Sequence, residues 1–187
     1  MLGFFLTRLV LVALLSAATL LSPASAEPSA YRRSASPGRA QLAQLLLQSP
    51  RVRLLDYHVS GVRDSASARQ NLLQTARGIP AKRSYYGRGR GGVTKLSLNM
   101  LRALVVLTRE GHSFRITELA GGSHCSNSRH YLGVAFDIDY LNGQKISSGH
   151  PTYRRFMQLC RELGATEVFG PGTRGHHSHV HIAWPRP

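Results

Sequence analysis

The stretch "SRHYLGVAFDIDY", residues 128–140, changes character at Gly133: polar and aromatic residues precede it, and apolar and acidic side chains alternate after it. In an extended strand successive side chains point to opposite faces. Val134, Phe136 and Ile138 therefore define an apolar face, and Ala135, Asp137 and Asp139 define the opposite one. A strand with one oily face predicts an antiparallel sheet that is covered on one side and open on the other. His130 reaches the open side from the loop just before the strand, so an imidazole and a carboxylate meet there.

A second stretch, "GHHSHVHIAW" at residues 175–184, extends this reading. Read as a strand, it sends His177, His179 and His181 to one face. His181 then joins His130 and Asp137 as a third N/O donor. Three protein ligands with a position left for water are the arrangement of a catalytic zinc, whereas structural zinc is usually closed by four ligands, mostly cysteines. His179 faces the same side as His181 and is the nearest candidate to take a proton from the attacking water. Ser128, Arg129, His124 and His177 are candidates for supporting or substrate-facing positions, and Asp139 for an acceptor that orients a ligand histidine. Glu118 and Glu167 are reserve bases. His176 reads as loop, and Trp184 as a core aromatic near the chain end.

Ser128, His130, Gly133, Ala135 and Asp137 fit S-x-H-x-x-G-x-A-x-D, and His179-Val180-His181 fits H-x-H. In these motifs the chain resembles the LAS superfamily, which unites lysostaphin, D-alanyl-D-alanine metallopeptidases and the sonic hedgehog amino-terminal domain. The resemblance covers roughly residues 113–184 and is closest to the D-alanyl-D-alanine-type zinc carboxypeptidases and endopeptidases. It implies a zinc peptidase acting on bacterial peptidoglycan, with one zinc per chain held by His130, Asp137 and His181 and with His179 assisting catalysis. Two departures stand out. Many such peptidases place a glutamate base where this chain has Ser178, and they often carry Ser-Gly-Tyr-Arg where it reads Thr117-Glu118-Leu119-Ala120-Gly121. Arg129, Arg115 or another histidine is left to stabilise the oxyanion.

Helical spacing predicts helices at 40–47, 65–77, 96–109 and 152–163, the second opened by a serine cap. Strands are expected at 51–59, 113–119, 133–140 and 166–170 and over the last histidine stretch, with a hairpin turn at Asn142-Gly143. This is an α+β domain: helices first, then a small, mostly antiparallel sheet that carries the zinc site and is flanked by helices. Residues 40–187 are expected to form one domain, with the motifs in about 113–187.

Arg8, the apolar run 9–21 and Ala24-Ser25-Ala26 read as a signal peptide over residues 1–26, which implies export to the periplasm or the medium. Residues 27–39, rich in Pro, Ser and Arg, read as a flexible basic leader. In an oxidising compartment Cys125 and Cys160 are expected to pair as a disulfide. Residues 27–95 hold 13 basic against 3 acidic side chains and residues 96–187 hold 10 against 6, so the basic excess lies in the amino-terminal half. Such a field favours anionic cell-wall polymers as a partner beside the peptidoglycan peptide. A monomer that binds no nucleic acid is expected. Two other readings remain open: a non-catalytic zinc-containing module of the same fold, and a secreted polyanion binder led by the loop "KRSYYGRGRGGVTK" at 82–95.

Overall fold

The computed structural model describes residues 36–187. The signal peptide expected at 1–26, and residues 27–35 of the basic leader, lie outside the described residues. The elements run α1 (Arg39–Gln48), β1 (Val52–Leu54), α2 (Ala68–Ala76), β2 (Ala81–Lys82), β3 (Val93–Thr94), α3 (Leu98–Arg109), β4 (Phe114–Glu118), β5 (Ala135–Leu141), β6 (Gln144–Lys145), α4 (Tyr153–Glu162), β7 (Glu167–Phe169) and β8 (Val180–Ala183).

The sheet has the order β1-β4-β5-β8-β7, with β6 pairing β5 as the second arm of the hairpin. All pairings in it are antiparallel except β1 with β4. The sheet is mostly antiparallel, as expected, and its one parallel edge needs a long crossover. Here the segment containing α2, the β2–β3 hairpin and α3 supplies it. Ser67 and Ser97 cap α2 and α3, accepting hydrogen bonds from the backbone N–H groups of Gln70 and Met100. Those bonds satisfy donors that a helix start leaves free.

One hydrophobic core joins the helices to one face of the sheet. Phe136, Ile138, Val180 and Ile182 meet Leu42, Leu72, Leu104 and Phe156 there. Trp184 is part of this core, and its Nε1–H donates to the Leu163 carbonyl. β5 is the central strand, and its pairing register sets Asp137 opposite His181 and Phe136 opposite Ile182. Directly opposed residues share a face. One register thus seals the core and assembles the polar site on the other side.

The expected disulfide is absent. Cys160 is buried on the core face of α4, whereas Cys125 is exposed in the loop before β5. Cys160 packs within the core while Cys125 lines the cleft, and burial pushes the Cys160 thiol pKa up, so it is inert. The thermal midpoint is therefore expected to be the same with and without reductant, measured by circular dichroism on the protein and on Cys125→Ser. A native bridge would instead contribute about 2–5 kcal/mol that reductant removes.

Candidate metal centre

His130 opens a single 3-10 turn, His130–Leu132, that ends at Gly133 in the left-handed region with φ 69°. A Cβ at Gly133 would lie 2.6 Å from the Lys95 carbonyl oxygen, so only glycine lets the chain turn here into β5. The turn leaves His130 1% exposed, with Nδ1–H donating to the Leu119 carbonyl at 2.7 Å. That bond fixes the tautomer and leaves the Nε2 lone pair pointing inward.

His181 is oriented from the other side. Its Nε2–H donates to Glu167 Oε1 at 3.0 Å, which leaves Nδ1 as an acceptor. Nδ1 of His181 then stands 2.8 Å from Asp137 Oδ1 and 3.2 Å from His130 Nε2, and His130 Nε2 stands 3.2 Å from Asp137 Oδ2. Two imidazole lone pairs and a carboxylate therefore face one another, all buried, with the ligand atoms of the three residues within 4.8 Å of one another. Three acceptors in such a space need a proton or a cation between them. Burial lowers the pKa of His130, but Asp137 outweighs burial and the net shift is upward. Asp137 moves the opposite way, well below the carboxylate range, because His130 and His181 outweigh its burial. A divalent cation satisfies the same three atoms, and the two N and one O donors suit zinc.

The other candidates divide. His179 borders the cleft, although it lies outside β8, which begins at Val180. Burial holds its imidazole below the ordinary histidine value, so it is neutral near pH 7. The expected alternation of His177, His179 and His181 along one strand is corrected: a turn occupies the residues before β8, and His177 points to solvent. His176 takes the place in the cleft, with its ring 4.8 Å from that of His179 and 5.1 Å from that of Phe169. His124 stacks on His130 with ring centroids 4.1 Å apart, and burial pushes its pKa down to about 3.

Ser128 and Arg129 line the cleft, and Ser128 Oγ accepts from the His130 backbone N–H at 3.3 Å. Arg129 is tethered by donation from Nη1 to the Trp184 carbonyl at 2.8 Å. Asp139 orients no ligand histidine. It forms a two-pronged ion pair with Arg115, whose guanidinium also lies 4.3 Å from the Tyr140 ring centre. Glu167 does the orienting instead.

These groups surround one cleft of about 670 Å³, large enough for a short peptide. Its far wall comes from the amino-terminal half, where Val59, Ser60 and Tyr86 stand over the site. Tyr86 belongs to the glycine- and arginine-rich loop, so part of that loop is a cleft lip.

Over 58 residues, 31% of this chain, the sequence is 38% identical to the zinc D-Ala-D-Ala carboxypeptidase of Streptomyces albus G. The match supports a distant relation between this chain and that enzyme. It spans 20% of the length of that curated protein. No family model matches the chain, and no solved structure matches it. Among the described residues no helix is long and apolar enough to cross a membrane.

Proposed function

We propose that this chain is an exported zinc-dependent peptidase that hydrolyses peptide bonds of bacterial peptidoglycan, as a D,D-carboxypeptidase or an endopeptidase. The observation that carries the reading is the convergence of His130 Nε2, His181 Nδ1 and Asp137 on one buried point at the floor of a peptide-sized cleft. The similarity to a zinc carboxypeptidase supports it. His130, Asp137 and His181 would hold one zinc per chain. A zinc bound there lowers the pKa of water and polarises a carbonyl, so that an amide is attacked near neutral pH.

The chain's own residues supply the rest. The Leu119 carbonyl and the Glu167 carboxylate keep the two imidazoles in the ligating tautomer. His179, neutral through burial, receives the proton of the attacking water and returns it to the leaving amine. Of the two arginines considered for the oxyanion, both are ion-paired, Arg115 with Asp139 and Arg129 with Glu167 at 3.7 Å, but only Arg129 lines the cleft and is placed to face a developing oxyanion. The peptidoglycan peptide is the partner, and the basic amino-terminal half adds attraction to anionic wall polymers. The protein acts as a monomer.

Mass spectrometry of defined peptidoglycan fragments, incubated with the zinc-loaded protein, tests this. The expected result is loss of a terminal D-alanine or one internal cut, abolished by a chelator. His179→Ala should lower kcat by roughly 10²–10⁴-fold while zinc remains at one per chain. A zinc-loaded protein that cuts no fragment would refute the reading.

A further inference from the structure

Beside the metal centre lies a second buried polar cluster. His58, in the loop after β1, is 0% exposed. Its Nδ1–H is shared between the two oxygens of Glu118 at 2.8 and 2.9 Å, and its Nε2–H donates to Asp64 Oδ1 at 2.8 Å. An imidazole that donates from both nitrogens is an imidazolium. Burial opposes that charge, but the bonds to Glu118 and Asp64 outweigh it and raise the His58 pKa.

The surroundings are shaped to this cluster. Asp64 also accepts from the Ala66 backbone N–H at 2.7 Å, and the Ser84 hydroxyl lies 3.3 Å from His58 Nε2. A Cβ at Gly121 would lie 2.8 Å from His58 Cε1 and 2.1 Å from the Ala66 carbonyl oxygen. One at Gly122 would lie 3.0 Å from the Glu118 carboxyl carbon. The glycine pair after β4 is what lets the backbone pass this close.

Glu118 reaches the cleft through a strand irregularity. Phe114 and Ile116 face the core, and strict alternation would bury Glu118 with them. The β4–β5 register shifts between Ile116 and Glu118, setting Glu118 opposite Asp137, so the carboxylate borders the cleft instead. Two buried ionisable groups, His58 and Glu118, with a part-buried Asp64 are costly to desolvate, and such clusters are poor stabilisers. Burial pushes the Glu118 pKa up and the bonds to His58 oppose that shift; with both carboxylates ionised, two against one imidazolium leave one negative charge. Asp64 is satisfied by its own donors, and among the described residues no lysine or arginine pairs with Glu118. The excess faces the cleft.

We propose that Glu118 is a substrate-binding residue, a fixed carboxylate that accepts a hydrogen bond from an ammonium group of the bound peptide, and that His58 and Asp64 are positioning residues that hold it. The proposal rests on the peptidase reading for the choice of ligand. The probes are a lysine-containing stem pentapeptide ending in D-Ala-D-Ala and its fully N-acetylated form, offered to the zinc-loaded protein. Calorimetric Kd is measured beside kcat and KM, so binding is read even where no peptide is cut.

For the wild type, acetylation should weaken binding about tenfold, the scale of one charge-assisted hydrogen bond. In Glu118→Gln the free peptide should bind about tenfold more weakly, with zinc still at one per chain and no further loss on acetylation. His58→Gln should reproduce the loss in part, and Glu118→Asp should recover some of it. Equal acetylation effects in wild type and Glu118→Gln overturn the proposal, as does a fall in kcat with Kd unchanged. Glu118→Gln is isosteric, so it keeps the test valid if the His58 variant fails to fold. Cleavage without coupling refutes this inference alone, whereas coupled binding without cleavage refutes only the peptidase reading.

Discussion

Asp137→Asn is expected to give a folded protein that no longer holds zinc. The amide replaces an anionic ligand with a neutral group of the same shape; the two imidazoles face different oxygens of the carboxylate, so the NH2 donates to one ring nitrogen and the amide oxygen accepts from the other ring once it is protonated. The apo site is thereby satisfied and the fold persists. Loss of a supporting residue around a metal costs about 10–100-fold in affinity, so loss of a charged ligand should cost roughly a hundredfold or more. Competition with a chromophoric chelator measures it. Thermal denaturation gives a second reading: zinc at a thousand times its Kd stabilises the native state by about 4 kcal/mol, so the wild-type midpoint should rise on zinc addition and that of the variant should not. Equal zinc content in both proteins would remove Asp137 from the ligand set.

How much of this site could be read in the sequence depends on whether its geometry is local. Asp137 and its apolar neighbours sit on one strand, where period-two alternation carries the information, and His130 lies a single turn before it. The helices and most strands follow from equally local patterns. His177 failed because alternation holds only within a strand, and the turn before Val180 breaks it. His176 lies in a loop by sequence and in the structure alike, and tertiary packing folds that loop over the cleft. The disulfide expectation rested on compartment and count, which say nothing of where two thiols point.

The His58–Glu118 pair was the least legible. The partners are 60 residues apart, and they meet only because β1 joins the sheet in parallel and β4 shifts register. Neither event leaves a periodic trace. The one local hint was Gly121-Gly122, which marks a place where the backbone must pass close to something. Glu167 as the partner of His181 was hidden in the same way, since the diagonal contact across β7 and β8 is fixed by pairing alone.

Phe136→Ala tests whether the core and the metal site act as one unit. Phe136 is fully buried at the centre of the sheet, with its ring 5.8 Å from that of Trp184. Truncating a buried phenylalanine costs about 3–5 kcal/mol in lost transfer energy and residual cavity. Against a total stability of about 5–15 kcal/mol, that is a large fraction, and the urea midpoint should fall with little change in slope. The informative part is what happens across the strand. Asp137 follows Phe136 directly, and its register with His181 is set by the same ladder that pairs Phe136 with Ile182. A cavity that lets β5 settle inward moves the carboxylate away from the two imidazoles, so zinc affinity should fall together with stability. Leu104→Ala, an equally buried change on α3, should cost about 2–5 kcal/mol and leave zinc affinity near the wild-type value. If both variants lose zinc alike, affinity tracks global stability, and the strand is only a scaffold. If only Phe136→Ala does, the apolar face of β5 is what sets the distances on its polar face.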